Sequence, residues 1–424
     1  MSPTAFAALA QDLSQFRGLA LKRNIVLSHF KTDIGQPPTY GPYEVQRVEE
    51  AYRSIGLLPN DSDLGHALPE FRRLEQLAIY DAVNGSVMLS PHAELLGEAF
   101  ESTDPAFARE APARFAILAA LQDQHFNSQD KLKRILFDDQ RLAYRALTLG
   151  DAALTLVAGS REKSNRNPSS GEWVTAAKLG TVLEKAAAHL PDFLRQQVIF
   201  PYREGSQFVF WARTAQGWPG VNGLYAAPPL STAQIIHPEK YFISPTAPLR
   251  FFPAALLGHF KESPSVEQSL GEHLVRTLLA TELPARLAAA IAIAWRGDQM
   301  LSFHDNGPLA TAWFSAWTSE KTAAEFARAY RTVLEKRQRV RFDSTTAPAA
   351  NSFTGTIRDG RRVSLQNRGT IVLLLSGVSA SRSKQLAEEA WRDLEVQADP
   401  TEVRFDLGTR RNDTHAHQLS LSSK

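Results

Sequence analysis

Residues 113–126 read ARFAILAALQDQHF, and one helix further on residues 146–152 read ALTLGDA. Phe115, Leu118, Ala119 and Gln122 recur at the i, i+3, i+4, i+7 spacing of one helical face, with Ile117 and Leu121 beside them. The spacing predicts a buried amphipathic helix ending in the polar cap Gln122, Asp123, Gln124 and His125. Asp130 to Val157 brings Leu132, Ile135, Leu136, Leu142, Ala143, Ala146 and Leu147 near helical spacing, so a long helix is expected there. Ahead of both, Asn84-Gly85 lies between Ile79-Tyr80 and Val87-Met88-Leu89. That is a two-residue hairpin signal in which both turn residues take positive φ.

The opening stretch resembles the active-site helix of a bacterial zincin-type metallopeptidase family, whose pattern runs H-E-L-V-H-A-L-Q-D-Q-H-F. Agreement is close from Ala120 to Phe126 and fails at the three residues that carry the chemistry. A second block, PYREGSQFVFWARTAQGWPGVNGLYAAPPLSTAQIIHPEKY at Pro201 to Tyr241, is similar to the family's P-Y-x-x-G-x-x-F-V, G-G-W-x-x-V-N-x-L-Y and P-P-x-S-T-E-Q-I-L-H-P-E-K-Y. It departs at Gln216, where Gly is common, and at Ala233, where the family has Glu. A third block between Ala288 and Tyr330 resembles A-x-G-W-x-G-D and W-D-T-x-x-D-A-x-x-F, with Ala294 and Thr318 as departures. The resemblance spans roughly residues 75 to 335, and more loosely the strands up to about 378.

In an H-E-x-x-H helix two histidines one turn apart hold zinc and the glutamate polarises the attacking water. The resemblance puts Phe115 and Ala119 at the histidine positions and Ala116 at the glutamate. It puts Leu149 where the family's E-G-D-A supplies the expected third ligand. Losing one ligand leaves a polar hole with unpaired buried groups, whereas four apolar residues together fill the space as core. The implied fold is α+β: a zincin-like scaffold of a β-hairpin and two core helices, with further helices and a small C-terminal antiparallel sheet. The implied protein is a catalytically inactive metallopeptidase homologue without zinc or other cofactor, serving a peptide- or protein-binding or structural role in the cell envelope. An extended peptide or protein ligand is expected along the hairpin edge near Ile79 to Leu89, by strand addition.

The polar residues left around that site are Gln122, Asp123, His125, Asp151 and His237. Hydrogen bonding to caps and backbone is the plain expectation for them; the alternative is an active hydrolase whose metal has moved to His125, Asp123 and Asp151. No G-x-S-x-G elbow, P-loop or G-x-G-x-x-G fingerprint occurs.

Composition sets the remaining bounds. The chain has 424 residues, 47 basic against 45 acidic side chains, and no cysteine. The net charge of +2 offers no field for nucleic acid, and without thiols there is neither a disulfide nor a thiolate metal site. No apolar run reaches the roughly 18 residues of a membrane span. The start, MSPTAFAALAQD, lacks the basic and apolar regions of a signal peptide, although AFA-ALA-Q is like the tail of a cleavage region, and export is expected from the resemblance.

Four regions are expected: 1–65 helical and extended, with a helix Thr4 to Phe16, a strand Asn24 to Ser28 and a Pro/Gly-rich link at Gly35 to Pro38; 66–245 the core; 246–380 an α+β region; and 381–424 a helix and polar tail. Phe71 to Leu77 reads as a short helix or strand, and Gly159 to Gly171 as a polar loop. Arg296-Gly297-Asp298 reads as a turn opening a strand at Gln299. The run Lys336, Arg337, Arg339 and Arg341 reads as a solvated helix end, or more sharply as a phosphate contact.

Overall fold

The computed structural model describes residues 1–28, 44–100, 104–160, 168–260, 264–304, 309–343 and 352–398. The link at Gly35 to Pro38, most of the loop after Ser160 and the polar tail from Pro400 lie outside these residues.

Helix α1 (Pro3–Arg17) begins at Ser2, whose hydroxyl accepts from Ala5 N at 3.2 Å, and closes at Gly18 with φ 70°. Its stripe Phe6, Leu9, Ala10 and Leu13 is buried, and Leu19 and Ile25 carry the chain into strand β1 (Val26–Ser28). Helices α2 (Val45–Ser54) and α3 (Leu64–Glu75) follow; the segment left between helix and strand by its sequence is the end of α3. Strands β2 (Ala78–Asp81) and β3 (Ser86–Leu89) form the hairpin, but Asp81 pairs with Ser86, so the loop has four residues, not two. Of these only Gly85 has positive φ, at 62°. The Asp81 carboxylate builds the turn instead, accepting from Val83 N at 2.9 Å and from the Asn84 amide at 2.6 Å.

After α4 (Leu95–Glu98), α5 (Pro105–Phe126) carries the opening stretch and ends at Asn127 in the left-handed region. The long helix expected from Asp130 is two helices, α6 (Ser128–Arg134) and α7 (Asp138–Ser160). The break has a tertiary cause. Asp138 N donates to Gln268 Oε1 at 2.9 Å and Asp139 N to Ser269 O at 3.1 Å, so the start of α7 is pinned to a distant strand end. Helices α8 (Ser170–Ala186) and α9 (Asp192–Phe200) lead through a π-turn at Pro201–Gly205 into α10 (Ser206–Ala226), which kinks at Gly217. The π-turn meets α7 backbone to backbone: a Cβ on Gly205 would lie 2.3 Å from Ala146 O, and one on Gly150 only 2.4 Å from Gly205 C. These two glycines let the helices approach.

Short helices α11 (Thr232–Ile236) and α12 (Glu239–Phe242) precede β4 (Leu249–Pro253), α13 (Ala254–His259), β5 (Val266–Gln268), α14 (Gly271–Ala280) and α15 (Ala285–Ala292). The long strands β6 (Trp295–His304) and β7 (Leu309–Trp317), helix α16 (Glu320–Arg337), strands β8 (Arg341–Phe342), β9 (Ser352–Thr356), β10 (Arg362–Arg368) and β11 (Ile371–Val378), helix α17 (Ser383–Trp391) and β12 (Leu394–Ala398) complete the chain. The expected small sheet is a seven-stranded antiparallel sheet ordered β5-β6-β7-β11-β10-β9-β8, with β12 paired to β4 beyond it. Alternation along β7 assigns its two faces: Trp313 and Trp317 pack with Phe326 of α16, while Ala312 and Phe314 join the cluster of Leu386 and Ala390 from α17. The chain is a mixed α+β protein, as its sequence implies.

Arg296, Gly297 and Asp298 lie within β6 and not in a turn, and Asp298 is buried. Arg296 is the extra residue of a bulge against β7, and beside it Leu249 O would stand 2.3 Å from any Cβ on Gly297.

Burial pushes the carboxyls at the start of α7 upward, Asp138 to about 6 and Asp139 to about 7, even though Tyr52 and Thr232 donate to them. A folded pKa raised above the unfolded one gives stability that is complete below pH 4 and lost as pH rises towards 7. The expected result is that wild type loses stability relative to Asp139→Asn between pH 4 and pH 7.5, read from urea midpoints. Equal differences at both pH values would remove Asp139 as the cause.

Candidate functional site

The four positions assigned to metal chemistry by resemblance lie on α5 and α7. Phe115 and Ala116 are fully buried in the main core, Ala119 is half-buried, and Leu149 packs against the same core from α7. The Phe115 ring stacks on Tyr202 of the π-turn, centroids 6.4 Å apart. Tyr202 is buried, and its hydroxyl has no hydrogen-bond partner among the described residues. Burial pushes that phenol upward, opposed by the nearby Arg145, which burial itself holds down at about 9. An unpartnered buried hydroxyl costs about 1–3 kcal/mol. Tyr202→Phe is therefore expected to leave thermal stability unchanged or to raise it, a result that a drop of several degrees in melting temperature would contradict.

Two residues beyond Leu149, Asp151 is the hub of a buried polar network. Its carboxylate takes Arg17 Nε at 3.2 Å and Nη2 at 3.1 Å, Tyr225 Oη at 2.8 Å, Gln122 Nε2 at 3.1 Å and Thr155 Oγ1 at 3.1 Å. Arg17 reaches on to Asn222 Oδ1 at 2.8 Å and lies 4.5 Å over the Trp218 ring. Arg213, paired with Glu172, covers the same indole at 4.4 Å. Arg17 and Asp151 are each only 1 % exposed. Every oxygen of the carboxylate is used, so this is a closed structural lock with no free ligand position.

The other polar residues are spent on the chain itself. Asp123 Oδ1 accepts from Gln129 N at 2.9 Å and caps the turn into α6. His125 Nε2 lies 2.7 Å from Ala20 O, which assigns that nitrogen its proton. Gln124, beside it, accepts from Lys22 N at 2.9 Å and donates to Arg23 O at 3.1 Å. His237 pairs with Glu272 at 2.6 Å, and Lys240 joins the same carboxylate at 3.2 Å. Gln122 and Asp151 are thus brought together, while Asp123, His125 and His237 each serve a different contact. Among the described residues no three His, Asp or Glu side chains gather as a metal-holding group, so His125, Asp123 and Asp151 form no shared site.

The residues that the sequence reading missed are Arg17, Asn222, Trp218 and Tyr225. The last three stand in the quoted W-x-x-V-N-x-L-Y block, but nothing local in SQFRGLA marks Arg17 as buried.

One of the hairpin's two edges is taken, on the β3 side; β2 is the other edge of the three-stranded sheet. Strand β1 runs parallel to β3, Val26 opposite Ser86 and Ser28 opposite Met88, so the chain's own segment occupies the β3 side of Ile79 to Leu89. Its outer edge bears Val26 and Leu27, 56 % and 39 % exposed, beside a cavity of about 950 Å³ lined by Phe6, Leu21, Ile25 and Leu89. Among the described residues no helix is long and apolar enough to cross a membrane.

Residues 260–387 match a family described as a domain of unknown function (DUF8575). The match runs from the end of α13 through the seven-stranded sheet into α17 and leaves out α5 and α7. No curated protein and no solved structure matches the chain.

Proposed function

We propose that this chain is a catalytically inactive, zincin-like metallopeptidase homologue with a peptide- or protein-binding or structural role in the cell envelope. The observation that carries the reading is the apolar replacement at Phe115, Ala116, Ala119 and Leu149 on two packed helices, immediately followed by the Arg17–Asp151 lock. An orphaned Tyr202 hydroxyl facing an apolar neighbour fits a place that once answered to a polar ligand. Three separate resembling blocks supply Gln122, Asp151 and the Trp218–Tyr225 segment to one network, as expected if the old scaffold persists around a filled site.

With β1 on the hairpin, a bound peptide would add to the exposed edge of β1 and lay its side chains into the neighbouring apolar cavity. An active hydrolase centred on His125, Asp123 and Asp151 finds less support, because each of the three is already committed to a different partner.

The test is to restore the ligands. The triple variant Phe115→His/Ala119→His/Leu149→Glu, loaded with zinc and passed through gel filtration, is expected to retain about one zinc per chain by elemental mass spectrometry, as three-ligand sites do. Wild type treated alike is expected to carry none. A folded triple variant without zinc would mean that the three positions do not converge, and the zincin reading would fall. Stoichiometric zinc on wild type, with chelator-sensitive peptide cleavage, would overturn the inactive reading instead.

A further inference from the structure

The basic run at the end of α16 is not absorbed by that function. As a complement to the helix C-terminus it is only partly accounted for, because Leu334 O already receives Gln338 N and Val340 N, both at 3.1 Å. Arg337 Nε donates to Gly56 O at 2.8 Å, which fixes its guanidinium against the end of α2. Arg339 takes φ 53°, a left-handed conformation that turns the chain sharply before β8.

Lys336, Arg337 and Arg339 line one side of a cleft of about 370 Å³; Asn60 and Asp61 of the loop after α2 line another, and Arg358 of the β9–β10 turn completes it. Among the described lining residues Asp61 is the one carboxylate against these four cations. Lys336 is paired, among the described residues, with Glu282, 3.8 Å away. A second cavity of about 400 Å³ shares Asn60 and Gln338 with the first and adds Arg47, Arg53 and Arg361. Arg53 and Arg361 are held by Glu49 and Asp359, both at 2.6 Å, so the second cavity is nearly neutralised and the first is not.

We propose that the first cleft is a binding site for a phosphate-class anion, a diphosphate moiety in particular. Guanidinium groups from two separate chain segments suit the several oxygens of such an anion through paired N–H donors, and the Asn60 amide supplies a neutral donor among them. The volume holds a small anion and not a folded polymer. The argument is independent of the inactive-peptidase reading, since it uses neither α5 nor α7.

The probe is inorganic pyrophosphate, titrated calorimetrically into the full chain at low salt and at physiological salt. One saturable site is expected, weakened severalfold by salt as an ion-paired site must be. Arg339→Glu/Arg358→Glu is expected to weaken binding at least tenfold. Lys133→Glu/Lys178→Glu, which makes the same charge change at exposed positions on α6 and α8, is expected to leave it unchanged. Should the first double variant misfold, Arg339→Gln/Arg358→Gln with a pyrophosphate-induced thermal shift gives the same readout. ADP in place of pyrophosphate distinguishes a nucleotide from a bare diphosphate, and saturable binding of either supports the site. Absence of saturable binding by both, or equal weakening by the two charge-reversed variants, would overturn it.

Discussion

Replacing Asp151 by alanine is expected to destabilise the folded chain by about 3–5 kcal/mol, the range for breaking one side of a buried ion pair. Arg17 would remain 1 % exposed with no counter-charge, and the donors of Tyr225, Gln122 and Thr155 would lose their common acceptor. The loss is expected as a lowered melting temperature and as faster amide exchange in α1, which Arg17 ties to α7 and α10. The double variant Arg17→Met/Asp151→Leu separates the charge from the other donors. It removes the uncompensated cation but leaves Tyr225, Gln122 and Thr155 without their acceptor, so it is expected to recover only the part of the loss due to the unpaired charge. A single variant costing less than about 1 kcal/mol would show the network to be water-accessible, since exposed pairs contribute no more than that.

The second large effect is expected at Asp298. Its two oxygens receive Ser269 Oγ at 3.1 Å, Leu270 N at 2.8 Å, Gly271 N at 2.9 Å, Trp295 Nε1 at 3.0 Å and Trp313 Nε1 at 2.9 Å. One carboxylate therefore joins the end of β5, the start of α14 and both long strands of the sheet. Burial raises its pKa while the donors work against that rise. Asp298→Ala orphans five buried donors at once, each worth about 1–3 kcal/mol, so a loss of at least about 4 kcal/mol is expected even without additivity. Trp295 and Trp313 report it directly: near-ultraviolet circular dichroism of the two indoles should collapse before the helical signal does. Asp298→Asn, which keeps one acceptor oxygen, should fall between. A soluble alanine variant with wild-type melting and indole signals would remove Asp298 as the organising group.

Much of the secondary structure was legible from local chemistry. The helix over Thr4 to Phe16, the apolar face of α5 and the terminal helix α17 each declare themselves through periodicity and cap residues. The misreadings have two causes, a local side chain in one case and distant partners in the others. Asn84-Gly85 promised a tight turn, but the Asp81 side chain offered better hydrogen bonds to a longer one. The helix from Asp130 was broken by Gln268 and Ser269, residues more than a hundred positions away. Arg296-Gly297-Asp298 resembled a turn, yet it lies in a strand, where four donors from other segments and Trp295 of the same strand converge on its aspartate.

For the candidate site the division is sharper. Sequence by itself determined which side chains stand at positions 115, 116, 119 and 149, and that none of them can ligate a metal or move a proton. It also determined the apolar face that buries α5. Only the tertiary structure decided that Arg17 closes on Asp151, that Tyr202 has no hydrogen-bond partner among the described residues, and that β1 covers the β3 side of the hairpin. The physical reason is that periodicity records how a segment meets water and core, a local property. The partner of a buried charge depends on which distant segment arrives, and no residue spacing along the chain encodes that.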